Sequence, residues 1–401
     1  MRDGQTSVEI PADIDLELCR LLLGWDELER ANGGRPVIDF NVSGVTSGSE
    51  FRDRKEVLDA ILELKAALDP GSLVSARTVA HETYLRALMG QQFGFADYLA
   101  ATQGVVPSRF PQDLLHQVRA EAERRLRQVG VDPEGPVDEQ MAKLDPPLPQ
   151  TAIEPTFHEL LQEYRSSIEH ALGTSLAFDL TIESVDVDEY WSYWVDGAAD
   201  KFRLRLNRRR ASFSWHECLQ FTFHELLSHC GQMDAWRSLI AKGVLAKSLG
   251  VTTVHSPEQF MSEGIAQVMP VLLSSPASDN EMLLAQMTVR RFELLVINNV
   301  HCMINEGASI EQCHDYYERH SLRHRRRWFL DELSSRSLDP LYRSYQYVYA
   351  TGAELSWDAV GVLEASDREE LIRACFRRPY TPADLQLLVH TLKEHSVDDN
   401  G

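Results

Sequence analysis

The chain has 401 residues and a mass of 45.5 kDa, which suits one large domain or two ordinary ones. Apolar residues make up 43% and charged residues 25%, so it carries a sizeable core and is not a disordered, collagen-like or disulfide-scaffold protein. Lys and Arg number 40 against 61 Asp and Glu, a formal net charge of −21 that repels phosphate backbones and anionic lipid, so neither nucleic acid nor membrane is an expected partner.

The first residues, MRDGQTSVEIPADIDLELC, place acids where an export signal would need an apolar run, and we expect a cytoplasmic protein. Helical periodicity follows over 53–68, closed by Asp69-Pro70-Gly71, and again over 75–100 and 112–129. Val131 to Pro155 is rich in proline and poor in periodicity. It reads as a linker at 131–155 between an N-terminal helical region, 1–130, and a second domain, 156–401. A helix is predicted over 156–172. Period-two alternation then predicts strands at 177–187 and 201–207. From Ser214 onward helical patterns return, so the expected fold is mainly α, a helical bundle with one small β-sheet just before a helix at 214–232. The six cysteines, Cys19, Cys218, Cys230, Cys302, Cys313 and Cys375, include no Cys-x-x-Cys pair and read as reduced, mostly buried thiols.

The helix at 214–232 contains His224-Glu225-Leu226-Leu227-Ser228-His229. Imidazole nitrogen is a good ligand for Zn²⁺, and a glutamate beside a ligand can serve as base toward water. The familiar form, H-E-x-x-H, puts both histidines on one helical face. Here the offset is five, and five steps of 100° leave the side chains about 140° apart on a regular α-helix. Convergence on one ion therefore needs an extra residue absorbed in the helix, a π-bulge. A second pair, His216-Glu217, has no histidine at a useful spacing and reads as surface or supporting structure, as does His81-Glu82.

The third ligand is expected on a following helix, 256–273, where Ser256 and Gln259 match a capping box and Pro257 suits the first turn. Glu263 lies in an otherwise apolar part of it, where a carboxylate is costly to bury unless paired or metal-bound. His255, Glu258 and Asp234 are the competing ligands.

HELLSH, a preceding strand and the Ser-Glu-Gly-Ile-Ala of 262–266 resemble zincin metallopeptidases of the H-E-x-x-x-H plus E-G-x-A kind, which include the tubulin tyrosine carboxypeptidases and their bacterial relatives. The later part is similar to a bacterial zincin family with an H-E-x-x-P-G-H-H motif, through Arg291, Asn298 with His301, and Tyr349-Ala350-Thr351-Gly352, although the Pro-Gly pair is missing. The resemblance covers about residues 175–360. It implies a zincin-like fold and a Zn²⁺ cofactor held by His224, His229 and Glu263, with Glu225 as general base. Tyr349, or its neighbours Tyr347 and Tyr345, would donate to the oxyanion. Strand Phe202–Asn207, with Leu204 and Leu206, would be an edge for an extended substrate. Arg291 or Arg343 would hold a substrate carboxylate. The implied activity is a zinc-dependent, carboxypeptidase-like peptidase or amide hydrolase acting on a peptide or small amino-acyl amide. The alternative is a catalytically inactive, zincin-fold interaction or regulatory protein. Oligomeric state is left open.

Overall fold

The computed structural model describes residues 10–188, 191–273, 275–323 and 332–398. The protein is mainly α with one small mixed five-stranded sheet. The strands are β1 (Ile38–Asn41), β2 (Asp179–Val185), β3 (Tyr193–Ala198), β4 (Lys201–Asn207) and β5 (Val251–Thr253), in the spatial order β2-β4-β3-β1-β5.

β4 alternates with a two-residue period because Phe202, Leu204 and Leu206 face the core while Lys201 and Arg203 face water. It pairs in parallel with β2 and antiparallel with β3, so it lies inside the sheet and is not an edge. Leu204 and Leu206 are buried in the main core, which removes both from substrate contact. The open backbone belongs to β3. Among the described residues Tyr193, Trp194 and Val195 pair only with β4, and β1 reaches only Gly197 and Ala198.

The N-terminal region is not set off from the rest. β1 pairs with β3 on one side and β5 on the other, so residues before 131 supply an interior strand of the shared sheet. The segment 131–155 is no bare linker either. It holds the helix Val137–Leu144 and the start of the helix Gln150–Leu172. Val137 and Met141 pack into a core formed by the helices Gln112–Gln128 and Glu281–Asn305, and buried Asp145 accepts from Gln286 and pairs with His216 at 2.9 Å. Its prolines interrupt periodicity without preventing burial.

One long helical rod runs from Trp215 to Ala241. Ser214 opens it with a capping box to Glu217, which assigns the His216-Glu217 pair to structure. The main core wraps this rod with the helices Gln150–Leu172, Gln259–Leu272 and Ala365–Arg377. A second core joins the N-terminal helices to Val251, Val254 and Leu341. All six cysteines are buried and free.

Candidate metal centre

Thr222–Cys230, in the middle of the rod, is π-helical. An extra residue per turn brings positions five apart onto one face. Phe223, Leu226, Leu227 and Cys230 hold that geometry, each fully buried. Burying a large apolar side chain contributes about 1.5–3 kcal/mol, so these contacts can sustain a turn that an isolated helix would reject. As a result Nε2 of His224 and Nε2 of His229 lie 3.3 Å apart.

Glu263 arrives from the helix Gln259–Leu272, with Oε2 at 3.3 Å from Nε2 of His224 and Oε1 at 3.7 Å from Nε2 of His229. Ligands bound tetrahedrally at about 2.0–2.1 Å from a common ion stand roughly 3.3–3.4 Å apart. Oε2 of Glu263 is buried without a hydrogen-bond partner among the described residues. A polar atom so placed is costly unless something else binds it. The two imidazoles and the carboxylate therefore fit a divalent cation, and their donor set, N₂O, suits zinc without excluding other transition ions.

The helix carrying Glu263 starts later than the sequence pattern indicates. Its N-cap is Glu258, which makes no side-chain cap; Ser256 bonds Thr253 at 2.6 Å instead, and Gln259 turns back to the carbonyl of Thr253. The expected capping box is absent because residues 254–258 form a tight turn that follows β5. None of the competing ligands reaches the cluster. His255 bonds buried His81 at 2.8 Å, Glu258 pairs with Arg77, and Asp234 accepts from the amide of Ala177 and pairs with Arg237.

Two tyrosines support Glu263. Tyr345 donates to Oε1 of Glu263, and Tyr349 donates to Tyr345 at 2.9 Å. Burial, with the charge of Glu263, holds both phenols well above their ordinary pKa, so they remain donors. Tyr347 points elsewhere, accepting from the amide of Ser108. Asn298 likewise bonds Ser108, and His301 stacks on Phe95 beside Arg336.

The electrostatics separate the roles. Burial would raise Glu263, but His229 and His224 outweigh it, with help from Tyr345, and its pKa falls to about 2. Burial pushes His229 down to about 4, keeping its imidazole neutral as a ligand must be. For His224 burial is overcome by Glu225 and Glu263, which raise it. Burial, reinforced by Glu263 and opposed by His224, lifts Glu225 to about 7, a value matched to proton exchange near neutrality.

These groups open on a cavity of about 420 Å³. Glu225, His229 and Glu263 form its floor with Tyr345 and Tyr349, while Trp191 to Val195 of β3 and its approach line one wall. The expected arginines are not there. Arg291 is committed to buried Glu354 and lies over Trp357, and Arg343 is sandwiched between Phe95 and Tyr98 while bonding Asn305 and the carbonyl of Phe93. The arginines that line the cavity are Arg290, Arg323 and Arg336. Arg336 pairs with Glu332 and Arg323 with Asp138, while Arg290, one residue before Arg291, donates from Nε to Gln267 at 2.9 Å. A helix turns 100° per residue, so adjacent arginines face different neighbours, and sequence alone could not rank them. Asp39, on β1, also lines the cavity and carries no motif at all. Burial, then the charges of Glu263 and Asp196, hold its carboxyl well above the usual range.

No family model matches the chain, and no curated protein matches it. Among solved structures it is similar to "the putative lipoprotein from Colwellia psychrerythraea", with a TM-score of 0.58 and 13% identity over 88% of this chain and 69% of that one. At that identity the likeness is one of fold.

Proposed function

We propose that this protein is a metal-dependent amide hydrolase, carboxypeptidase-like, acting on short peptides or small amino-acyl amides. The observation that carries the reading is the convergence of His224, His229 and Glu263 with Glu225 beside them in the cavity floor. A purely structural metal site has no need of an adjacent base.

His224, His229 and Glu263 would hold the ion, with zinc the leading choice from the donor set. When bound, such an ion supplies Lewis acidity toward water and an amide carbonyl. Glu225 takes a proton from the attacking water and returns it to the leaving amine, and its raised pKa fits that two-way role. Tyr345 fixes Glu263, while Tyr349, one turn on, presents a protonated phenol to developing negative charge. The open backbone of Tyr193–Val195 can pair with an extended substrate, and Arg290 can take a carboxylate in a bidentate contact. A cavity of this volume accommodates a small molecule or a chain end.

The test is elemental analysis of the purified chain together with a peptide and amino-acyl amide panel read by mass spectrometry. We expect one transition ion per chain, hydrolysis in the wild type, and its loss in Glu225→Gln with the metal retained. Metal-free protein that stays metal-free after incubation with Zn²⁺, or metal retained with no substrate cleaved, would overturn the reading.

A further inference from the structure

The carboxylates of the cavity divide by whether the protein has already answered them. Glu258 pairs with Arg77, Glu293 accepts from Ser321 and the amide of Leu322, and Glu332 pairs with Arg336. Glu263 lies within the histidine cluster, and Glu225 stands 3.6 Å from Nε2 of His224. The Asp39 side chain makes no hydrogen bond and no ion pair among the described residues, although it is only partly covered and lines the same cavity.

The strand around it is built to aim it. β1 is an interior strand, fixed by β3 and β5, with Phe40 packed into the main core. In the antiparallel pairing with β5, Ile38 faces Thr253 and Phe40 faces Thr252, so Asp39 is the extra residue of a bulge. Bulges re-aim single side chains and recur beside active sites. Here the bulge delivers an unanswered carboxylate to a cavity that also contains Glu225 and Glu263. Six carboxylates line that cavity against three arginines, Arg290, Arg323 and Arg336, and the guest that Asp39 itself would answer is a cation carrying N–H donors.

We propose that Asp39 is the ammonium-recognising residue of this cavity, so that its substrates are short peptides or amino-acyl amides with a free amine. This rests on the hydrolase reading for the word substrate, but the recognition itself is a binding property. An α-ammonium is charged near neutrality and can give Asp39 a charge-assisted hydrogen bond. With Arg290 available to the other terminus, the cavity suits a molecule charged at both ends.

The experiment uses the full-length chain loaded with Zn²⁺. Binding of alanyl-alanine, N-acetyl-alanyl-alanine and alanyl-alanine amide is measured by calorimetry in Glu225→Gln, with and without Asp39→Asn. Hydrolysis of the same three is followed separately with the wild type. We expect acetylation of the amine to weaken binding by about tenfold or more, the scale of one charge-assisted hydrogen bond, and Asp39→Asn to close that gap. Metal content should be unchanged by Asp39→Asn. Equal binding of the free and acetylated probes, a gap that survives Asp39→Asn, no binding of any probe at millimolar concentration, or loss of metal in Asp39→Asn each overturns the proposal. The comparison of free and acetylated probes needs no change at position 39, so a folding defect in the variant does not rescue it. Binding with the expected gap but no turnover in the wild type sinks the hydrolase reading and leaves Asp39 recognition standing.

Discussion

Gly264 and Gly352 cross in direct backbone contact. A Cβ on Gly264 would lie 2.5 Å from the carbonyl oxygen of Gly352, and a Cβ on Gly352 would lie 2.3 Å from that of Phe260. The helix Gln259–Leu272 and the helix Pro340–Val362 meet there. Glu263 stands one residue before the first glycine, and Tyr349 three before the second. The crossing therefore sets how far the tyrosine pair stands from the carboxylate it supports.

Gly264→Ala gives a test in which two effects oppose each other. In an open helix the change stabilises by about 1 kcal/mol through backbone entropy. Here the methyl meets backbone, which cannot move aside as a flexible side chain would, and overpacking costs about 1–3 kcal/mol or more. We expect net destabilisation in chemical denaturation and weaker Zn²⁺ binding, because Glu263 is displaced with its helix. A variant as stable as the wild type would show that the helices separate freely.

Tyr345 and Tyr349 should part company when each loses its hydroxyl. Tyr345 bonds Glu263 directly, and losing such support for a metal ligand typically lowers affinity about 10–100-fold. Tyr345→Phe is therefore expected to weaken Zn²⁺ binding in a competition titration with a chelator. Tyr349→Phe should leave that affinity near the wild-type value and lower kcat instead, since it touches Tyr345 and the cavity but not Glu263. The reverse pattern would exchange their roles.

The metal motif was the most legible part of the chain because its chemistry is local. HELLSH and the Glu263-Gly264 pair are short, and the five-residue offset itself demanded the π-turn seen at Thr222–Cys230. The long helices and β4 were legible for a similar reason: each carries enough period to register. β1, β3 and β5 were missed. β1 and β5 span four and three residues, too few for alternation, and β3 keeps neither face clearly buried. That miss had consequences, since it left β4 as the apparent edge and the N-terminal region as a separate unit. Asp39 was beyond reach, because its role depends on a bulge and on the sequence-distant residues it faces across the cavity.

Adjacent arginines should fail in different ways. Arg291 forms a largely buried ion pair with Glu354, and breaking a buried pair from one side costs about 3–5 kcal/mol. Arg291→Gln is expected to lower the melting temperature and leave the KM of the remaining folded protein unchanged. Arg290→Gln should cost little stability, since among the described residues Arg290 bonds only Gln267, but raise KM for substrates with a free carboxylate and spare their amides. An Arg290→Gln variant with no preference lost would remove that residue from recognition.

The buried pair His81 and His255 predicts where acid begins to unfold the protein. Burial, with the charge of Arg77, pushes His255 down to about 3, and burial holds His81 well below its ordinary value. A group with a depressed folded-state pKa stabilises the fold above its unfolded value, here about 6.5, and loses that contribution as pH falls toward the folded value. Stability should therefore decline steadily from about pH 6.5 downward, before most carboxylates titrate. His255 also stacks on Tyr84 and bonds His81, so His255→Gln should cost stability at pH 7. Its loss should nevertheless flatten the decline below pH 6, because one proton fewer must be forced into the interior. Denaturation midpoints of both proteins between pH 4 and pH 8 check this. Parallel curves would mean that the acid limb comes from other groups, and that the histidine pair already exchanges protons with solvent in the folded state.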